Sequence, residues 1–220
     1  MKSWKAPYHF SENWINYYEQ DIESAEYLIN KQAVITRWLI ETNPKTVIDL
    51  GANTGMFSLI ASKIADQVIA VEFDDDCVDK IEKEIRVNKI QNISTLVADL
   101  SETSPNLGML NKEYVSLIER GKSEMVMGLA LIHHLCIGKN LSMAHVAELF
   151  AQLSTRYLIV EFIPKEDSKV KFMLESREDI FTDYNIIHFK NCFSRVFDLV
   201  EEKSIEESKR TIFLWARTQK

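Results

Sequence analysis

An α/β fold with a doubly wound, mostly parallel sheet is predicted from three features of the chain. First, residues 47–58 read as a short apolar strand, a glycine turn and the start of a helix. Second, the apolar run Val68-Ile69-Ala70-Val71 follows at once and ends in an acid, Glu72. Third, further short apolar runs recur after stretches of helical periodicity, the alternation expected of a sheet covered by helices.

Each element follows from local chemistry. Strand 1 is expected at 46–50 and its helix at 54–65, with Phe57, Ile60, Ala61 and Ile64 on one face. Gly51 and Gly55 suit a turn that needs positive φ or close backbone approach. Before this unit, Ile22, Ala25, Leu28, Ile29, Ala33, Ile35, Trp38 and Leu39 mark one or two amphipathic helices, ended by Asn43-Pro44. Strand 2 is expected at 67–72. Asp74, Asp75 and Asp76 stand where the next helix begins, and acids there suit the positive end of its dipole; a metal site is the other reading of the triplet. Val78, Ile81 and Ile85 form its buried stripe. Strand 3 is expected at 93–98, followed by a loop with Pro105 and Gly108 and a helix near 110–120. Strand 4 is expected at 124–130. Ser142 caps a helix from Met143 to Leu153, and strand 5 is expected at 157–162. Residues 165–192 are expected to be helical in two pieces, with Phe172, Phe181, Tyr184, Phe189 and Phe193 as apolar anchors. Residues 195–200 and 210–216 suggest a closing strand pair.

The turn after strand 1 restricts the ligand. It is Gly-x-x-x-Gly, with Asn53 where a dinucleotide fingerprint has its second glycine, which argues against NAD or FAD. Asp49, two residues before Gly51, would repel a phosphate but suits a ligand carrying an ammonium group. S-Adenosyl-L-methionine (AdoMet) has an α-amino group, a sulfonium cation and no phosphate. Glu72, 21 residues after Gly51, lies where a carboxylate accepts from ribose hydroxyls.

The ordered set Asp49-Leu50-Gly51-Ala52-Asn53-Thr54-Gly55, then Glu72, then Val97-Ala98-Asp99-Leu100 resembles the motif series of class I AdoMet-dependent methyltransferases, over roughly residues 45–217. The runs Ala130-Leu131-Ile132-His133-His134-Leu135 and Ile159-Val160-Glu161-Phe162-Ile163-Pro164-Lys165 are similar to a bacterial subgroup, some of whose members are called nodulation-protein-like. The resemblance implies a Rossmann-like, three-layer α/β/α domain with seven strands and an antiparallel last strand. It implies that Asp49, Gly51, Asn53, Gly55, Glu72, Phe73, Asp99, Leu100 and Ala130 hold AdoMet. Asp99 would accept the adenine amine and Leu100 would donate its backbone N–H. Phe73 either contacts the adenine face or packs in the core. Asn53 departs from the commonest glycine-rich loop.

The remaining assignments are open between two roles. His133 and His134 stand at the carboxyl edge after strand 4, either as a catalytic base touching the acceptor or as turn and packing residues. Glu161 either binds acceptor or pairs with Lys165 or another cation. Tyr17 and Tyr18, in an aromatic-rich start, either cap the methionine end of AdoMet or pack on the domain. The expected organisation is an N-terminal helical arm or cap over 1–42 and a methyltransferase domain over 43–220.

Totals and absences narrow the class. A chain of 220 residues with 46% hydrophobic and 27% charged composition suits one globular domain. Net charge of −7 opposes non-specific binding to nucleic acid or anionic membrane. No apolar run reaches the roughly 18–20 residues that cross a bilayer. Cys77, Cys136 and Cys192 are few, odd in number and widely spaced, which fits free thiols in the cytoplasm. The chain lacks an Asn/Asp-Pro-Pro-Tyr/Phe loop, a Pro-Cys pair and an acid at the end of strand 4. Those absences disfavour planar-nitrogen methylation, cytosine C5-methylation and magnesium-dependent catechol-type chemistry. The expectation is metal-independent methyl transfer to an O or N acceptor, a small molecule before RNA or protein. An AdoMet-binding module that transfers nothing is the rival, and an NAD-linked enzyme a distant third.

Overall fold

The computed structural model describes residues 25–175, 177–206 and 208–218. Tyr17 and Tyr18 lie outside them. The first described helix, α1 (Ala25–Thr42), turns Tyr27, Lys31, Ile35, Trp38 and Leu39 inward at three- and four-residue spacings. Ile29, expected on the apolar stripe, is instead exposed, because the buried face is centred on Lys31. Next come β1 (Thr46–Leu50), α2 (Met56–Ala61), β2 (Gln67–Glu72), α3 (Asp75–Asn88) and β3 (Ile93–Val97). Asp74 caps α3 by accepting from the backbone N–H groups of Asp76 and Cys77, so the acidic triplet serves the helix start. The helix α2 is shorter than the expected 54–65, and turns carry the chain from Ser62 into β2.

A second element departs further from expectation. In place of a helix over 110–120 there is a 3₁₀ turn at Met109–Asn111 and a four-residue helix, α4 (Leu117–Arg120). Leu110 and Asn111 have φ of 57° and 55°, which an α-helix cannot contain. A bridge between Leu107 and Tyr114 folds this stretch back on itself, and Ser116 caps α4.

The chain continues through β4 (Ser123–Gly128), a π-helical turn (His134–Gly138), α5 (Met143–Leu153) and β5 (Ser154–Phe162). The cap by Ser142 is present: its side chain accepts from His145 N–H. After β5 come α6 (Ser168–Glu175), α7 (Ile186–Phe193), β6 (Phe197–Ser204) and β7 (Thr211–Arg217). Phe181, Tyr184, Phe189 and Phe193 are buried anchors as expected, whereas Phe172 is exposed because α6 turns Val170 inward.

The seven strands form one sheet in the order β3-β2-β1-β4-β5-β7-β6. β1 to β5 pair in parallel, and β7 runs antiparallel to both neighbours. Strand alternation sends Ile48, Leu158, Val160, Phe213 and Trp215 into a core with α5 and α7. Val47, Ile159, Ile212 and Leu214 enter the opposite core with α1, α2 and α3. The same alternation places Asp49 and Glu161 on the α1 side, each a buried acid flanked by apolar strand residues. Cys77, Cys136 and Cys192 are free and buried. Among the described residues, no helix is long and apolar enough to cross a membrane.

Candidate functional site

The carboxyl ends of the parallel strands gather most of the expected site residues. Asp49, Gly51, Asn53 and Gly55 follow or end β1, Glu72 ends β2 with Phe73 next, Asp99 and Leu100 follow β3, and Ala130, His133 and His134 follow β4. The β1–α2 turn needs its glycines. Gly51 and Gly55 have φ of 72° and 84°. A Cβ at Gly51 would lie 3.1 Å from Leu131 Cδ1, and one at Gly55 2.9 Å from Ile81 Cγ1. Gly55→Ala is therefore expected to lower stability by about 2 kcal/mol through left-handed strain and contact. Urea unfolding checks this.

Every backbone N–H of the turn is satisfied internally. Gly51 and Ala52 donate to Val71 O at 2.9 and 3.0 Å, and Gly55 donates to Ala52 O at 2.9 Å. Asn53 N–H donates to Glu72 Oε2 at 2.7 Å, and Thr54 N–H to Asn53 Oδ1 at 2.7 Å. None of these five is directed at an incoming anion, unlike the loop amides of a dinucleotide site. The acids replace it. Glu72 Oε1 also accepts from Phe73 and Asp74 N–H at 2.8 and 3.1 Å. A carboxylate offers about four acceptor positions, so Oε2 keeps one for a ligand hydroxyl.

Asp49 is 2% exposed and accepts from Ser58 Oγ at 2.6 Å. Burial pushes its carboxyl up to about 6, against the hydrogen bond from Ser58 and the pull of Lys31. Phe73 is 57% exposed, so it is no core residue, while the Leu100 side chain is buried in the core. Ala130 adopts φ of 50°, turning the chain sharply beyond β4. His133 is buried, and neither ring nitrogen has a hydrogen-bond partner among the described residues. Its ring lies 4.0 Å from that of His134. Burial first, then His134, Arg210 and Lys31, hold His133 well below its usual pKa; burial and Lys169 bring His134 to about 4. Both imidazoles are neutral near pH 7 and are weak bases.

Glu161 does not pair with Lys165, which bonds Asp179 instead. It is wholly buried and receives Lys31 Nζ at 2.6 Å and Tyr27 OH at 2.5 Å. Arg210 extends the network, donating 3.2 Å to Tyr27 OH and reaching Asp167 through Nε and Nη2 at 2.8 and 3.1 Å. Burial raises the Glu161 carboxyl, but Lys31 and Arg210 outweigh it and the net shift is downward. Reading the sequence missed Tyr27, Lys31, Ser58, Asp167 and Arg210. A signal existed for Lys31, which stands four residues before Ile35 and seven before Trp38, in the middle of the apolar stripe.

This architecture recurs among solved structures. The N-methyltransferase NodS from Bradyrhizobium japonicum WM9 superposes with a TM-score of 0.66 over 90% of this chain and 100% of its own, at 7% identity. The domain has the class I methyltransferase fold. Magnesium protoporphyrin IX methyltransferase from Synechocystis PCC 6803, crystallised with S-adenosylhomocysteine, shares the class I fold at a TM-score of 0.65 and 17% identity, covering 94% of this chain and 93% of its own. In sequence, the nodulation protein NoeA of Rhizobium meliloti (strain 1021) is 33% identical over 208 residues, 94% of this chain and 43% of that protein. The 23S rRNA (uracil(1939)-C(5))-methyltransferase RlmD of Marinomonas posidonica is 30% identical over 113 residues, 50% of this chain and 25% of that protein. The chain thus spans less than half the length of these curated relatives. No family model matches.

Proposed function

We propose that the domain binds AdoMet and catalyses metal-independent methyl transfer to an oxygen or nitrogen of a small-molecule acceptor. The observation that carries this reading is the β1–α2 turn, whose amides are all consumed internally while Asp49, Glu72 and Asp99 ring the strand ends. Such a donor-poor, carboxylate-rich edge fits a ligand with a cationic end and hydroxyl groups. Bound there, AdoMet would supply an electrophilic methyl on a sulfonium.

The chain's own residues would then bind and orient. Asp49 would meet the ammonium end and Glu72 one ribose hydroxyl. Phe73 and Asp99 would flank the adenine, with Leu100 N–H and Ala130 completing the edge. His133 would hydrogen-bond the acceptor as a neutral imidazole, with the His134 ring tilted against it. A weak base of this kind suits an acceptor that arrives with a free lone pair, such as a neutral amine, since alignment dominates the step. Net charge of −7 favours a small molecule over RNA. We place the arm and cap in residues 1–42, the methyltransferase domain in 43–220, and the protein in the cytoplasm on account of its free thiols.

Calorimetry with AdoMet and a turnover screen over amines, phenols, carboxylic acids and RNA test the proposal. Binding together with S-adenosylhomocysteine release supports transfer. Binding without release from any acceptor would point to a non-transferring sensor, and preferential binding of NAD would overturn the reading. Glu72→Gln is expected to weaken AdoMet by about 1–2 kcal/mol, because one hydrogen bond loses its charged acceptor.

A further inference from the structure

The side chain of Lys139 occupies the ground assigned above to adenine. Its Nζ lies 2.6 Å from Asp99 Oδ2 and 5.2 Å from the centre of the Phe73 ring. Asp99 Oδ1 is engaged by Ser101, from N–H at 2.8 Å and from Oγ at 2.6 Å. The one outward carboxylate oxygen and the exposed aromatic face are therefore both covered by a single ammonium group. Lys139 leaves the π-helical turn that begins at His134, its own N–H donating 2.9 Å to His134 O. On the far side of that turn, Arg177 donates to Ile137 O and, at 2.9 Å, to Asn140 Oδ1. The turn carrying the histidines is thus tied on one side to the β3 end through Lys139 and on the other to the segment after α6.

We infer that Lys139 is a built-in competitor for the adenine end of the cofactor site, a latch that an adenine amine must displace from Asp99 and Phe73. An amine of adenine and an ammonium of lysine are both N–H donors to the same carboxylate oxygen, and a flat base and a cation both favour the same ring face. Only one can be there. Lys139 is 45% exposed at its side chain, so the competitor leaves into water without unfolding anything. Its departure cuts the side-chain tie between the β3 end and the histidine turn, while Arg177 continues to hold that turn from the other side. The latch rests on the AdoMet reading of Asp99 and Phe73, and its test separates the two.

Calorimetric titration of adenosine, S-adenosylhomocysteine and AdoMet into wild type and Lys139→Met decides it. All three share the adenine, so the variant should bind each more tightly by a similar factor, about three- to tenfold for a partly exposed ion pair with a cation–π contact. High salt should strengthen adenosine binding to wild type by screening the latch and leave Lys139→Met unmoved. Lys63→Met, which removes an exposed cation elsewhere, should change nothing. A gain confined to AdoMet would mean that only repulsion of its sulfonium was relieved, and equal affinities for adenosine would mean that Lys139 does not compete; either overturns the latch while leaving the cofactor reading intact. No binding of any of the three by either protein would sink both.

Discussion

Glu161→Ala is expected to cost about 3–5 kcal/mol of folding stability, as breaking a buried ion pair leaves the other charge stranded. Lys31 is 2% exposed, and its ammonium has Glu161 Oε2 as its close carboxylate at 2.6 Å. Tyr27 loses its acceptor as well. The cost falls where α1 joins the end of β5, so that helix should lose hydrogen-exchange protection first. The pH dependence has a definite sign. Burial already lowers the Lys31 pKa below 10.5, and Glu161 is the chief group opposing that shift. Without Glu161 the folded-state pKa drops further, so the unfolded chain binds more protons than the native one from that value up to 10.5. Stability of Glu161→Ala should therefore rise with pH across this window, as Lys31 sheds its proton on folding. Combining Lys31→Met with Glu161→Leu should recover most of the loss, because apolar side chains of similar volume carry no stranded charge. Chemical denaturation between pH 6 and 10 reads all three effects. A single variant as stable as wild type would show that the pair contributes nothing to the fold.

This pair also marks the boundary of what the sequence makes legible. The strand–turn–helix around Asp49 is local, and each part announces itself: an apolar run, two glycines, then a helical stripe. The cap of Ser142 on α5 depends on a contact three residues away and is found as expected; Asp74 stands at the start of α3, where acids are expected for the helix dipole, and it also caps that helix. Lys31 and Glu161 are 130 residues apart, and nothing local tells a lysine that its ammonium will meet a buried carboxylate. Lys139 and Asp99, 40 residues apart, are hidden for the same reason. The expected helix over 110–120 failed differently: the composition permits it, but the left-handed turn at Leu110 and Asn111 and the Leu107–Tyr114 bridge impose another course. Propensity is a weak prior that such contacts override.

Asp49→Asn should separate stability from binding, moving them in opposite directions. In the wild type, burial raises the Asp49 carboxyl from 3.8 to about 6. The native state then binds more protons than the unfolded chain between those values. Stability falls as pH rises through that window and stays lowered above it. A shift of about two units corresponds to about 3 kcal/mol at pH 7. Asparagine avoids that cost and still accepts from Ser58 through its carbonyl oxygen, though its amide must find partners in a buried place. A net gain of about 1–3 kcal/mol is expected at pH 7, disappearing below about pH 4 where the wild-type carboxyl is protonated in both states. AdoMet affinity should fall by about 1–3 kcal/mol, the loss of a charged acceptor for the ammonium group. Wild-type affinity should itself weaken on acidification below about pH 6, by no more than about tenfold per pH unit, while the variant stays flat. Denaturation and calorimetry on the same samples check both halves. A variant that binds AdoMet normally would remove Asp49 from the cofactor site, and one that is destabilised at pH 7 would show that the buried carboxylate supports the fold. The expected combination identifies Asp49 as a charge held in the core at a cost to the fold, as groups selected for a ligand commonly are.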